Sequence, residues 1–155
     1  IGTTAEAVAA ALMMRSGLRV VTNNLNVLSL LAKKEDFELV VCGGSVRNRV
    51  LAVVGQTTTE FVGRFNVDYS IIGVVAIATD GSVLHFSVDE EPLTKAIIGC
   101  GRHSFVVADH SKFGRHAMAK VAHLSQVTAV YSDARLNREW IERLSEAGAT
   151  VHVPK

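Results

Sequence analysis

The sequence predicts an α/β fold, a mostly parallel sheet with helices on both faces. Apolar runs rich in β-branched residues recur at positions 18–21, 37–42, 67–72, 104–108, 127–131 and 150–153. They lack the in-out alternation of half-exposed strands, which is the pattern of strands covered on both sides. Helical periodicity fills most of the intervals, at positions 5–15, 24–34, 57–64, 93–101 and 137–147. Strand and helix therefore alternate along nearly the whole chain, as parallel pairing with crossovers requires.

Taken in order, the first helix opens on Gly2-Thr3-Thr4, a glycine and two hydroxyls at an N-terminus whose free N–H groups and dipole favour an anion. Thr3 followed by Glu6 also fits a capping box, and the two uses are compatible. Thr22-Asn23-Asn24 ends the first strand and reads as the N-cap of the next helix, with a ligand-facing amide as its other use. Cys42-Gly43-Gly44 ends the second strand, and its glycines permit positive φ or a close backbone approach. Positions 45–49 read as an exposed loop carrying Arg47 and Arg49. A guanidinium matches phosphate oxygens two at a time, although surface arginines are commonly only solvated.

Asp80-Gly81 between short apolar segments is a hairpin signal, and Trp140, Leu144 and Ala147 mark one stripe of the last helix. Val106-Val107-Ala108 delivers Asp109-His110-Ser111-Lys112 to the end of a buried strand. From there Lys112 can aim its ammonium back across the strand ends, with a solvated loop lysine as the plain alternative. Lys95, in the helix before that strand, is a further candidate. Ligands of open parallel sheets settle at the carboxyl ends of strands, so these turns together suggest a pocket for a small phosphorylated molecule.

A chain of 155 residues, 48% hydrophobic, fits one domain with a core that needs no disulfide or metal. Its 16 basic and 15 acidic residues are interspersed, without the basic stripe of a nucleic-acid binder, so this stretch is not expected to grip DNA by itself. No apolar run reaches the roughly 18 residues of a membrane span, and no export signature is present. Cys42 and Cys100 read as reduced, mostly buried thiols, which favours the cytoplasm. The histidines show no metal-ligand spacing and His110 alone is a pocket candidate, so neither metal nor cofactor is expected. The sequence begins without Met and inside a turn motif, which suggests that 1–155 is one domain of a longer protein.

The ordered set Gly2-Thr3-Thr4, Thr22-Asn23-Asn24, Gly43-Gly44, Gly55, Asp68 with Gly73, Lys95 and Asp109-His110-Ser111-Lys112-Phe113 resembles the C-terminal effector-sensing domain of the DeoR family of bacterial transcriptional repressors. Within it, Asp80-Gly81-Ser82, Thr94-Lys95, Ala96-Ile97-Ile98 and positions 109–114 look like the glycerol-3-phosphate regulon repressors. The resemblance implies a fold similar to ribose-5-phosphate isomerase and CoA transferase-like proteins. It also implies a phosphorylated sugar or polyol, such as glycerol-3-phosphate, bound at the turns above with Arg47 and Lys95. An upstream helix-turn-helix outside this chain is expected to bind DNA under allosteric control of that effector, in a homo-oligomer.

The isomerase pattern carries a carboxylate base directly before the lysine of an Arg-Glu-Lys segment, and an acidic pair after a strand-end glycine. Here Thr94 precedes Lys95, and Val74, Val75 and Ala76 follow Gly73. A threonine is no competent base near neutral pH, so the resemblance implies a sensor without catalytic residues. A sugar-phosphate isomerase-like enzyme is the rival reading, which a pocket-facing carboxylate such as Asp89, Glu90 or Glu91 favours. A structural dimerisation domain is the third, which a collapsed cleft favours.

Overall fold

A computed structural model describes residues 2–154. Along the chain come α1 (Thr3–Leu12), β1 (Arg19–Thr22), α2 (Leu25–Leu31), β2 (Glu38–Val41), β3 (Ser45–Arg47), β4 (Ala52–Val54) and α3 (Gln56–Val62). There follow β5 (Val67–Gly73), β6 (Ala76–Ile77), β7 (Ser82–His85), α4 (Glu91–Cys100), β8 (Gly101–Val107), β9 (Ala119–His123), β10 (Ala129–Tyr131), α5 (Arg138–Glu146) and β11 (Val151–His152).

Parallel pairing dominates, as the apolar runs require. β5, β8, β10 and β11 form a parallel sheet in the order β11-β10-β8-β5, and β1 pairs in parallel with β2. One face of the larger sheet is buried: Val106 and Val130 pack with Leu124, Leu144 and Ile77 in the main core, and Ile98 of α4 lies against it. Between these strands the Ser70 hydroxyl donates to Ser104 Oγ at 2.9 Å, so the polar groups on that face are paired. The other face carries an aromatic row from Tyr69 through Phe105 and Tyr131 to His152, with ring centroids 5.9, 5.3 and 4.8 Å apart. A second core of Ala9, Val27, Leu31 and Phe37 joins α1 and α2 to the β1–β2 pair.

Two strands are not foreseen in the sequence. Positions 45–49 are largely exposed, as expected, but are not all loop: Ser45–Arg47 pairs antiparallel with Ala52–Val54 as a hairpin. That hairpin docks on the chain leaving β1, where Val53 N donates to Asn23 O at 2.7 Å and Leu25 N to Leu51 O at 2.8 Å. Docking buries Ala52 and Val53, but three residues are too few to show a period in the sequence. Likewise β9, in the stretch Ala119–His123, pairs with β7 and completes a three-stranded antiparallel sheet with β6. The turn before β7 is the expected one, with Gly81 at φ 82° and its N–H on Ala78 O.

The helix starts divide. Asn24 caps α2, its side chain accepting from Asn26 N at 2.9 Å and Val27 N at 3.2 Å. At α1 the expected capping box does not form, because Gly2 (φ 103°) is the N-cap and Thr3 the first helical residue. Glu6 instead accepts a hydrogen bond from Asn26 Nδ2 at 2.8 Å. No side chain caps α1, so its first N–H groups are left to another partner. Cys42 and Cys100 are both free, and burial pushes both thiols up. No helix among the described residues is long and apolar enough to cross a membrane.

The two glycines after β2 have different reasons. Gly44 has φ 148°, and a Cβ there would stand 2.2 Å from Thr58 Oγ1 and 2.8 Å from Val54 O, while nothing lies within 4 Å of a Cβ at Gly43. Gly44→Ala should therefore cost roughly 2 kcal/mol or more in urea unfolding, and Gly43→Ala no more than about 0.5 kcal/mol. Equal losses at both positions would contradict this packing.

Candidate functional site

A small cavity of about 40 Å³ opens where the β3–β4 hairpin, the carboxyl end of β5, β7 and the start of α4 meet. Its walls are Arg47 from β3, Val54 and Gly55 after β4, Ile72 and Gly73 from β5, His85 from β7, and Asp89, Glu90, Leu93, Thr94 and Ile97 around the start of α4. The local sequence sets this up. Ser87 caps the 3-10 turn Val88–Glu90, and Pro92 in the first turn of α4 continues it, which swings Glu90 inward. Of the positions at which the isomerase pattern requires acids, Thr94 lines this cavity, while Val74, Val75 and Ala76 follow Gly73 out of its wall. Thr94 is buried, and its hydroxyl donates to Glu90 O at 2.8 Å within its own helix.

Glu90 is the electrostatic centre. Its side chain is 13% exposed, with Oε2 2.8 Å from His85 Nδ1 and Oε1 3.1 Å from Arg47 Nη1. The hydrogen bond from His85 holds this carboxyl below its usual range, burial works against it, and Arg47 reinforces the lowering by hydrogen bond and charge. His85 is buried, and its Nε2 has no hydrogen-bond partner among the described residues. Carboxylates thus do line the pocket, Asp89 and a Glu90 that is paired with a cation and an imidazole. Residue patterns single out His110 among the histidines, but it is His85 that lines the cavity. The only hint in the sequence is the short distance from His85 to the acidic run 89–91.

The other candidates gather at strand ends. Thr22 Oγ1 accepts from Asn24 N at 3.0 Å, Asn23 Nδ2 donates to Val53 O at 3.0 Å, and Gly43 O accepts from Thr58 Oγ1 at 2.8 Å. Asn23 and Gly43 therefore hold the hairpin and α3 in place beside the cavity. The Glu6–Asn26 hydrogen bond sets the first turn of α1 beside that of α2, so Gly2, Thr3 and Thr4 share the side on which β1 ends.

Gly73 is paired in register with Val107, so the turn at Asp109 leaves the strand next to the cavity floor. There Asp109 accepts from Ser111 N at 2.9 Å, and the Ser111 hydroxyl, with this backbone contact behind it, lowers its pKa against the effect of burial. No ion pair among the described residues holds Lys112. Ligand atoms of Asp109, His110 and Asp133 lie within 4.8 Å of one another, but Asp133 is occupied by His110 at 2.9 Å and by Arg135 N, and Asp109 by its cap. Lys95 stands apart from the cavity. It pairs with Glu91 and faces Lys120 and His123 across an open groove against β9.

A family model described as the DeoR C terminal sensor domain matches residues 1–134. The chain belongs to the DeoR sensor-domain family. It is 48% identical over 134 residues to the glycerol-3-phosphate regulon repressor of Escherichia coli (strain K12), which covers 86% of this chain and 53% of that protein. It is 43% identical over 132 residues to a repressor of the same description from Haemophilus influenzae, covering 85% and 51%. Similarity to the HTH-type transcriptional repressor CsqR of E. coli is lower, 34%, but runs over all 155 residues and 59% of that protein. This DeoR domain thus spans about half the length of the curated relatives it matches, and those relatives are named as transcriptional repressors, not as enzymes.

The Glu90 network gives a stability test. A carboxyl whose pKa is lowered in the fold stabilises above its unfolded value, near 4.3, and loses that contribution as pH falls through the folded value. Glu90→Gln should cost about 1–3 kcal/mol at pH 7. In urea unfolding across a pH series, the gap to wild type should narrow below about pH 4. A gap that stays constant down to pH 2 would count against the ion pair.

Proposed function

We propose that this DeoR domain is the effector-sensing part of a transcriptional repressor, and that its effector is a small phosphorylated polyol or sugar, with glycerol-3-phosphate the first candidate. What supports the reading is the cavity at the end of β5 with Arg47 in its wall, together with an α1 N-terminus that has no side-chain cap and a Lys112 without an ion pair among the described residues. In this reading the phosphate takes the N–H groups of Thr3 and Thr4 beyond Gly2, where helix charge favours an anion, and Lys112 and Arg47 supply full charges. Asp109 and Ser111 shape the turn that presents Lys112, while Thr22, Asn23, Gly43 and Gly44 position the opposite wall. The names of the E. coli and H. influenzae relatives support a glycerol-3-phosphate-linked regulon for this chain as well.

Control would run by linkage: the effector binds one conformation better and so changes the affinity of the whole repressor for its operator. DNA contact belongs to an upstream helix-turn-helix outside this chain, in a cytoplasmic homo-oligomer whose copies match repeated half-sites. The isomerase reading draws on the carboxylates in the cavity wall, Asp89 and Glu90. A general base works best with a pKa near the operating pH, whereas Glu90 is held low by His85 and Arg47, and Thr94 stands at the proton-shuttling position. Binding without turnover follows.

Thermal-shift screening against glycerol-3-phosphate, ribose 5-phosphate, fructose phosphates and free sugars should single out a phosphorylated compound. At about 100 times its dissociation constant, that compound should add roughly 2.7 kcal/mol. Lys112→Ala should weaken its binding by about 1.5–3 kcal/mol in calorimetry and leave the melting temperature of the free protein unchanged. Incubation with aldose phosphates should yield no ketose above the uncatalysed level. Enzyme-dependent isomerisation lost on mutating Glu90 would reverse the assignment.

A further inference from the structure

Within the cavity, one polar atom has no visible task. His85 is 7% exposed and lines the cavity, and its Nε2 has no hydrogen-bond partner among the described residues. Its other nitrogen is committed to Glu90 Oε2 at 2.8 Å. An ionised carboxylate only accepts hydrogen bonds, so Nδ1 is the donor to Glu90, and a neutral imidazole in that tautomer presents Nε2 as an acceptor. Glu90 Oε1, 3.1 Å from Arg47 Nη1, is likewise buried and lacks a well-formed hydrogen bond. With the imidazole in this form, the inner end of the cavity is lined by acceptors. Acceptors repel phosphate oxygens and attract hydroxyl hydrogens, and a buried acceptor without a donor costs about 1–3 kcal/mol.

We propose that His85 Nε2, held in its tautomer by Glu90, is a specificity-determining acceptor that receives a hydroxyl of the polyol end of the effector, with the phosphate kept at the cationic mouth. The proposal rests on the effector reading above and adds an orientation to it: hydroxyl end inward, phosphate end outward. Glu90 is a positioning residue for the imidazole and a second acceptor beside it. The ligand class that satisfies this subsite is a phosphate ester with free hydroxyls, as opposed to a simple alkyl phosphate.

The experiment compares glycerol-3-phosphate with n-propyl phosphate, the same ester without hydroxyls, by calorimetry on this chain. Wild type should prefer glycerol-3-phosphate by at least about 10-fold, because a site built to hydrogen-bond a hydroxyl rejects the analogue that lacks it. In His85→Phe that preference should fall to near unity. A preference that survives in the variant overturns the proposal and leaves the effector reading standing. Failure of wild type to bind either ester overturns both. Nitrogen NMR of wild type supplies a readout that does not depend on the variant folding. His85 Nε2 should be unprotonated in the free protein and should shift on adding glycerol-3-phosphate but not n-propyl phosphate. A protonated Nε2, or equal shifts with both esters, overturns the assignment.

Discussion

The cavity is organised around the charge of Glu90. A carboxylate at that depth is tolerated only when paired, and its two partners arrive from separate parts of the chain, Arg47 from β3 and His85 from β7. Glu90 itself enters α4, so one group stitches the hairpin, the antiparallel sheet and the helix that covers β5. The hairpin is held at its other side by Asn23, whose amide and carbonyl both engage Val53. A displacement at Arg47 therefore reaches the ends of β1 and β2 through a few short, directional contacts. The connecting turn stores some strain, since Leu51 has φ 47°, a conformation that costs a non-glycine residue on the order of 1 kcal/mol.

The parallel sheet was legible in the sequence because its strands fall in apolar runs rich in β-branched residues without clean alternation, as at positions 67–72 and 104–108. The β3–β4 hairpin was not, because Arg47, Asn48 and Arg49 look like solvated loop and the buried part is three residues long. The N-cap at Asn24 was readable from local chemistry alone. The capping box at Thr3 and Glu6 failed because the helix starts one residue early, with Gly2 as its N-cap, and Glu6 is turned to Asn26 instead. A local signal misleads when the chain enters the helix one residue out of step with it.

The same limit explains the site. The strand-end turns at Thr22, Gly43 and Asp109 could be placed because each follows a recognisable strand. His85 could not, because its importance comes from a cavity formed by β3, β5 and α4, and nothing in its own neighbourhood announces that. Lys95 lies elsewhere: one residue from Thr94 in sequence, it lines a different groove, since neighbours on a helix diverge by about 100°.

The closed cavity bears on how such a domain signals. About 40 Å³ holds little more than one water, so a phosphorylated polyol enters only if the wall moves. The wall that can yield is the Arg47–Glu90 contact, because Arg47 is 38% exposed and lies on a two-stranded hairpin, whereas Glu90 is fixed at the helix start. In the proposed reading a phosphate offers Arg47 a replacement partner, so the ion pair lost on opening is exchanged and not simply broken. The ligand then has more affinity for the open arrangement than for the closed one, and only such a difference can shift an equilibrium between states. A neutral polyol lacks that exchange. The selectivity for a phosphate ester and the capacity to switch conformation would therefore come from the same guanidinium.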